Sequence, residues 1–200
     1  MTGRVSVGRP EVTSHASIEQ AAFRLFAQRG FEATTLDDIA AEVGIARRTL
    51  FRYFPSKNDI AWGEFDRTLD GFRDLLAATP DDVPLLQAVA SGVVAFNEFP
   101  ADATPPHAER MRLILRTPAL QAHSVLRYAQ WRQVIADYAA RRLEVSPDDL
   151  QPQLLGHLAL ALALTAYDQW LRDTSSSLPT QIEEAARALI SLPAGRDWPQ

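Results

Sequence analysis

The sequence predicts an all-α fold in which a small helical domain precedes a larger one. Apolar residues recur every three or four positions through most of the chain, which is the spacing of one face of an α-helix. No run alternates apolar and polar residues for long enough to form a strand. Helix start signals also recur, as in Thr117-Pro118 and Ser146-Pro147, where a capping residue precedes a proline suited to the first helical position.

The first helices are short and have clear boundaries. Ser14 or Ser17 can cap a first helix, because a serine oxygen accepts a hydrogen bond from an unpaired amide of the first turn. Thr35 should cap the next helix, with Asp38 three residues later in the position of a capping box. Gly44 then predicts a tight turn into another short helix.

The rest of the chain is predicted to form longer helices. Ser56 should cap a helix that continues to about residue 76 and connects the two domains. The later helices are expected at about residues 84–98, 106–116, 118–143, 147–173 and 179–192. The predicted organisation is a disordered tail over residues 1–12, a small domain over 13–56 and a larger domain over 57–200.

Charge is distributed unevenly along the chain. Residues 1–60 contain eight basic and seven acidic residues, whereas the remaining residues contain twelve and eighteen, so the net charge of −5 comes from the second part. A chain with this balance does not coat nucleic acid generally, but it can carry a local contact patch near its N-terminus.

The composition argues against several other classes of site. The absence of cysteine excludes disulfides and thiolate metal sites, and none of the four histidines has a second ligand at metal-binding spacing. No catalytic or phosphate-loop motif is present, so the sequence predicts no enzyme, no cofactor and no metal. The N-terminus lacks the apolar core of a signal peptide, and the longest apolar run, residues 158–166, is too short for a bilayer. A cytoplasmic protein is therefore expected.

Residues 46–53 form a short basic helix with no acid anywhere between Gly44 and Asn58. A basic helix after a tight turn is typical of a helix-turn-helix, whose second helix enters the DNA major groove. Arginine can bond to two acceptors of guanine, and a threonine methyl can meet the thymine methyl. Helix N-termini, here at Thr35 and Lys57, favour a phosphate.

The candidate DNA-binding residues are Thr35, Arg47, Arg48, Thr49, Arg52, Tyr53 and Lys57. The alternative is a solvated basic face without a partner. The sequence does not distinguish the arginines that read bases from those that hold phosphates.

Part of this region resembles the TetR family of bacterial transcriptional regulators. The resemblance is carried by residues 30–36, 39–40, 43–45 and 49–57. It implies a three-helix helix-turn-helix domain over residues 13–56, followed by an effector-binding and dimerisation domain over 57–200. Phe51 stands where the family commonly has tyrosine, and Arg48 where it often has a small residue, so the resemblance does not give the operator sequence.

A narrower resemblance, to the mycofactocin-regulator subfamily of actinobacteria, is carried by residues 47–60, 62–63, 65–66, 113–118 and 162–167. It implies a target promoter beside the mycofactocin genes.

The last two helices carry a predicted dimer interface, which the TetR resemblance favours over ordinary core. Leucines recur along one face of the first of these helices, beside alanines that let another helix approach closely. The predicted interface residues are Leu154, Leu158, Leu162, Ile182, Ala186 and Leu189.

An effector pocket is predicted in the middle of the larger domain, again on the strength of the resemblance. Apolar residues bordered by arginines suit an amphipathic anion such as a long-chain acyl-CoA, and the alternative is a filled core with surface arginines. The predicted pocket residues are Phe96, Met111, Arg112, Leu115, Arg116, Arg127, Tyr128, Trp131 and Ile135.

The function predicted from these features is sequence-specific transcriptional regulation. A homodimer would repress transcription from a palindromic operator and leave it when a small molecule binds the larger domain. The alternative is a helical small-molecule-binding protein, or an enzyme, with a degenerate DNA-binding end.

Overall fold

The computed structural model describes residues 13–191, apart from the side chain of Ile190, and these residues form ten α-helices and no strand. The all-α prediction is therefore confirmed. The helices are α1 (His15–Arg29), α2 (Leu36–Val43), α3 (Arg47–Leu50), α4 (Lys57–Trp62), α5 (Phe65–Ala77), α6 (Leu85–Phe96), α7 (His107–Arg116), α8 (Pro118–Leu143), α9 (Leu150–Trp170) and α10 (Leu178–Ser191).

The chain divides into two compact units, the first ending at Gly63 and the second beginning at Glu64. The predicted boundary between the DNA-binding and effector domains, at residues 56 and 57, lies before α4, whereas this division follows α4. The functional boundary stays a prediction. The predicted disordered tail, residues 1–12, lies outside the described residues. No helix in the described part of the chain is both long and apolar enough to cross a membrane.

In the first unit, α1 packs against α2 and α4 around a small apolar core. Ile18, Ile39, Leu50 and Ile60 are completely buried in it. Of the two serines considered as caps for α1, Ser14 occupies the capping position. Its hydroxyl accepts from the Ser17 amide at 3.1 Å, and the Ser17 hydroxyl accepts from the Ser14 amide at 3.0 Å.

The long helix predicted from Ser56 to about residue 76 is wrong, because the structure divides it at Gly63. Ser56 caps α4 as expected and accepts from the Asp59 amide at 3.3 Å. Gly63 then adopts φ 64° and ψ −146°, which only glycine reaches without strain. The helix cannot continue through this conformation, and α5 begins at Phe65.

The predicted start of α9 at residue 147 is also wrong. The Asp149 carboxylate accepts from the Ser146 amide at 3.1 Å, and Asp149 occupies the N-cap position of a helix that begins at Leu150. Pro147 therefore lies in the turn before the helix and not at its first position.

In the second unit, α8 lies against α9 at close range around Gly156. A Cβ atom at Gly156 would lie 2.9 Å from the Arg132 carbonyl oxygen, so the absence of a side chain permits this approach. Phe72 of α5, Phe96 of α6 and Trp131 of α8 form an aromatic cluster whose ring centroids lie 4.9 to 6.0 Å apart. These contacts join α5, α6 and α8.

Candidate DNA-binding surface and effector-domain cavities

The helix-turn-helix begins at a well-formed capping box on α2. The Thr35 hydroxyl accepts from the Asp38 amide at 3.1 Å, and the Asp38 carboxylate accepts from the Thr35 hydroxyl at 2.6 Å and from its amide at 2.8 Å. The Thr35 hydroxyl, followed by its amide, lowers the pKa of the partly exposed Asp38 carboxyl below its ordinary value. Gly44 ends α2 in the left-handed conformation, with φ 75° and ψ 31°, as the sequence predicts.

The predicted helix over residues 46–53 is shorter in the structure and consists of α3 followed by a turn over 51–53. Leu50 is fully buried and Phe54 nearly so, and together they anchor this segment to the first unit. The side chains of Arg48 and Arg52 are exposed. No residue within the described ranges forms an ion pair or hydrogen bond with the guanidinium of either arginine.

Arg47 differs from the other two arginines because it has a partner within the unit. Its Nη1 donates to Asp37 Oδ2 at 2.9 Å, and its guanidinium lies 5.5 Å from the centroid of the Phe51 ring. Both charged groups are more than half exposed, so the pair holds the side chain in place without making it inaccessible.

Three other residues predicted to contact DNA form hydrogen bonds within the protein. Thr35 belongs to the capping box, and the Tyr53 hydroxyl donates to the Thr13 carbonyl at 2.9 Å. The Lys57 ammonium donates to the carbonyls of Phe31 at 2.7 Å and Thr34 at 2.9 Å. A longer contact of 3.4 Å joins this ammonium to the carbonyl of residue 32, so its donors close the loop between α1 and α2.

Thr49 is half-buried beside the exposed arginines. The assignment of all seven residues to DNA binding stays a prediction.

The predicted effector-pocket residues lie in and around the aromatic cluster of the second unit. Met111, Trp131 and Ile135 are buried, and Phe96 packs against Trp131. The predicted members with partial exposure are Phe96, Arg112, Leu115, Arg127 and Tyr128, whereas Arg116 is exposed.

Arg127 lies over the Phe65 ring at 5.3 Å and forms an ion pair with Asp66 at 2.8 Å. Its side chain is only 14% exposed. Side chains therefore pack against one another in this region, and its assignment as an effector pocket stays a prediction.

Helices α6, α9 and α10 border a surface cavity of about 510 Å³, which we call the apolar groove. It is lined largely by aliphatic side chains, including Leu86, Val89, Val93, Leu155, Leu158, Leu162, Ile182, Ala186 and Leu189. Five of the six predicted dimer residues thus lie along one surface, and the sixth, Leu154, is half exposed.

Sequence reasoning missed a second cavity, of about 440 Å³, which we call the end cavity. It lies between the segment that joins α6 to α7 and the segment that joins α9 to α10. Its walls include Asn97, Phe99, Pro106, His107, Ala108, Trp170, Thr174, Ser176 and Ser177. These residues come from two parts of the chain about 70 positions apart, so no local motif indicates the site.

A chain of buried and partly buried hydrogen bonds supports one wall of the end cavity. The Asn97 amide nitrogen donates to the Val93 carbonyl at 2.7 Å, and the Tyr167 hydroxyl donates to Asn97 Oδ1 at 2.7 Å. His107 Nε2 lies 2.8 Å from the Tyr167 hydroxyl. Burial raises the pKa of Tyr167, and burial followed by the nearby Arg110 lowers the pKa of His107 to about 3.

Comparison with known proteins assigns each part of the chain. Residues 18–61 match the tetR family of bacterial regulatory proteins, and residues 83–192 match the MftR C-terminal domain. A Mycobacterium tuberculosis protein assigned as the mycofactocin biosynthesis transcriptional regulator MftR is 46% identical over 172 residues. The match covers 86% of this chain and 87% of that protein.

Solved structures share the fold at lower identity. FadR of Thermus thermophilus, a TetR-family repressor in complex with lauroyl-CoA, has a TM-score of 0.56 and 22% identity, over 94% of this chain and 98% of that one. FadR of Bacillus subtilis in complex with stearoyl-CoA has a TM-score of 0.62 and 16% identity, over 89% and 98%. At these identities the likeness establishes the fold alone.

Proposed function

Because the chain belongs to the TetR family of bacterial transcriptional regulators and carries an MftR-type C-terminal domain, we propose that it is a homodimeric, ligand-released repressor. The observation that carries the DNA-binding part is the exposed basic face of α3 and the following turn. Arg48 and Arg52 are exposed there while Leu50 and Phe54 fix the backbone beneath them. Two such surfaces in a dimer read two half-sites spaced by about one helical turn or a multiple of it.

The three arginines have different roles in this proposal. Arg47, whose guanidinium is paired with Asp37 and lies beside the Phe51 ring, reads a base. A bidentate arginine–guanine contact discriminates by about 1–3 kcal/mol. Arg48 and Arg52 reach phosphates, or a second base in the case of Arg48.

The test is fluorescence anisotropy of the protein on its own upstream DNA and on scrambled DNA, across a series of salt concentrations. Specific binding should exceed non-specific binding by about a thousandfold or more. The double variant Arg47→Ala and Arg48→Ala should weaken operator binding by at least about thirtyfold, since each lost contact contributes about 1–3 kcal/mol. The matched control, Arg67→Ala with Arg73→Ala, removes the same charge from exposed positions on α5.

Unchanged operator affinity in the double variant would refute the assignment of the recognition segment. Single variants then separate the roles of the arginines. Loss of a phosphate contact lowers affinity similarly for all sequences and reduces the salt slope by about one, whereas loss of a base contact relaxes sequence preference.

Dimerisation through α9 and α10 is supported by the apolar groove. Leu86, Leu154, Leu158 and Leu189 are each at least 40% exposed along α6, α9 and α10, and burying such a surface favours association. We expect Leu158→Glu to give a monomer in sedimentation equilibrium, because it places an unpaired charge in the interface. The control Leu126→Glu changes a leucine on α8 that is 67% exposed. A dimeric Leu158→Glu variant would contradict this interface.

A long-chain acyl-CoA is the proposed effector. Two proteins of the same fold hold lauroyl-CoA and stearoyl-CoA, and Arg112 and Arg116 supply cations beside the apolar interior for the CoA phosphates. The rings of Phe72, Phe96 and Trp131 occupy the interior, so acyl-chain entry requires them to separate. Effector and operator then favour different arrangements of the protein, with a coupling of about 1–3 kcal/mol.

Stearoyl-CoA should release the protein from its operator, whereas free CoA should not, because only the former buries an acyl chain. The double variant Arg112→Ala and Arg116→Ala should need more stearoyl-CoA for the same release. If stearoyl-CoA does not release the protein from its operator, long-chain acyl-CoAs are not its effectors. Release that is unchanged in the double variant would keep the effector and discard the proposed pocket.

The proposed targets are promoters of mycofactocin-related genes, on the strength of the identity to the Mycobacterium tuberculosis protein. Selection of binding sites from random DNA, followed by a search of the surrounding genome, tests this proposal. If the protein binds acyl-CoA tightly and selects no DNA sequence, the repressor proposal fails, and a small-molecule-binding protein with a degenerate helix-turn-helix takes its place.

A further inference from the structure

We propose that the end cavity is a second small-molecule site, separate from the acyl-CoA site, for a flat aromatic ligand that donates a hydrogen bond to His107 Nδ1. The volume of about 440 Å³ lies within the usual range of ligand sites and is suitable for one small molecule. The aromatic cluster where the acyl chain is proposed to bind, Phe72, Phe96 and Trp131, does not line this cavity.

The hydrogen-bond chain determines which nitrogen of His107 carries the proton. Asn97 donates its amide N–H to Val93, so its Oδ1 faces Tyr167 as an acceptor. The single Tyr167 hydroxyl group therefore donates its hydrogen bond to Asn97 Oδ1. The Tyr167 oxygen must then accept a hydrogen bond from a protonated His107 Nε2, because two lone pairs facing each other at 2.8 Å would repel.

His107 Nδ1 consequently presents a lone pair. No residue among those described forms a hydrogen bond with this nitrogen. Burial, supplemented by Arg110, keeps the imidazole neutral at ordinary pH, so Nδ1 accepts a hydrogen bond and does not donate one. A ligand with an N–H or O–H group satisfies this acceptor, and a ligand with only acceptors does not.

The walls favour a flat ring. The Phe99 ring is stacked on the His107 ring with centroids 3.6 Å apart and planes 15° apart, and it remains 38% exposed. The Trp170 ring lies 6.0 Å from His107. Aromatic surfaces arranged in this way bind a planar molecule by stacking or edge contacts. Thr174, Ser176 and Ser177 also line this cavity, and residues of this polar type suit polar substituents on the ligand.

The test uses indole, which is flat and has one N–H donor, and benzofuran, in which an oxygen replaces that N–H. Each probe is titrated into the ¹⁵N-labelled full chain without DNA, and the Trp170 side-chain N–H resonance is followed. Indole should shift this resonance and saturate it with an affinity about fivefold to tenfold higher than that of benzofuran, which is what one net hydrogen bond contributes. The buried Trp131 resonance should not move and serves as an internal control.

A pair of neighbouring variants tests the location. Thr174→Trp fills the cavity from an exposed position and should abolish indole binding. Ser175→Trp adds the same side chain next to it, at an exposed residue that does not line the cavity, and should retain binding. Equal loss in both variants, or retention in both, would overturn the assignment.

Long-range ¹H–¹⁵N spectra test the proton assignment directly. Nδ1 of His107 should give a pyridine-type signal and Nε2 a pyrrole-type signal at neutral pH. The reverse assignment would overturn the preference for donors, as would equal affinity for indole and benzofuran. No shift of the Trp170 resonance with either probe would overturn the site itself. These experiments contain no DNA or acyl-CoA, so their failure is separate from failure of the repressor proposal.

Discussion

Replacing Gly156 by alanine should destabilise the protein, although alanine is the better helix former. Alanine in a helix interior is favoured over glycine by about 1 kcal/mol. At Gly156 the added Cβ would lie 2.9 Å from the Arg132 carbonyl oxygen and 3.4 Å from its Cβ. Because the carbonyl belongs to the α8 backbone, α8 and α9 must move apart, and overpacking of this kind costs about 1–3 kcal/mol. The net effect is a loss of up to about 2 kcal/mol.

Gly71 provides the matched control. It lies in the interior of α5, and an added Cβ there would meet no atom within 4 Å. Gly71→Ala should therefore show the propensity gain alone, about 1 kcal/mol, which raises the melting temperature by about 2–4 °C for a chain of this size. The difference between the unfolding free energies of the two variants removes the contribution of helix propensity and leaves the cost of the close contact at Gly156.

The assay is thermal and urea unfolding of both variants at one fixed protein concentration, since dimerisation makes apparent stability depend on concentration. We expect the unfolding free energy of Gly156→Ala to lie below that of Gly71→Ala by about 1–3 kcal/mol. If Gly156→Ala stabilises the protein as much as Gly71→Ala, the helices are not held together by this approach and the reasoning is refuted.

Three further predictions concern the first unit. Lys57→Met should lower the unfolding free energy, measured in urea, by about 1–3 kcal/mol, because the loop carbonyls lose a charged donor. If the variant keeps its stability in urea but binds the operator more weakly, Lys57 contacts a phosphate instead. Gly44→Ala should cost about 1–2 kcal/mol in urea unfolding, because its φ is 75°, whereas Gly44→Asn should cost less. Thr35→Val should raise the pKa of Asp38 in a carboxyl ¹³C titration, since the threonine hydroxyl is the largest cause of its lowering. An unchanged Asp38 pKa in Thr35→Val would contradict this cause. Because the folded-state pKa is lowered, the contribution of Asp38 to stability is present above its unfolded pKa and is lost as pH falls through the folded pKa.

Local signals predicted the helix boundaries that depend on local chemistry. Thr35 with Asp38, and Gly44, each carry the cap or turn within four residues of sequence, and the structure confirms them. The helix break at Gly63 was missed because the apolar spacing continues from Ile60 to Phe65 across it. Spacing alone does not report the backbone conformation of the glycine between them.

The cavities could not be predicted, because they depend on which distant side chains meet. His107 and Tyr167 are 60 residues apart, and nothing near either one indicates the other. The same limit applies to the predicted pocket, where apolar spacing identified interior residues such as Trp131 but not whether the space between them is filled. The α9 helix itself was predictable, because helical periodicity is a local property, whereas the dimer interface assigned to its leucines stays a prediction.

Lys57 is the only lysine in the sequence, and its amine is engaged by the loop between α1 and α2. Amine-directed reagents therefore meet one side-chain target in this protein, and its N–H groups are engaged in hydrogen bonds in the folded first unit. An acyl group on this nitrogen would remove the charge and leave too few N–H groups for the loop carbonyls. The rate at which such a reagent labels Lys57 thus measures how often the helix-turn-helix opens locally, and stabilisation of that unit by operator DNA should slow the labelling.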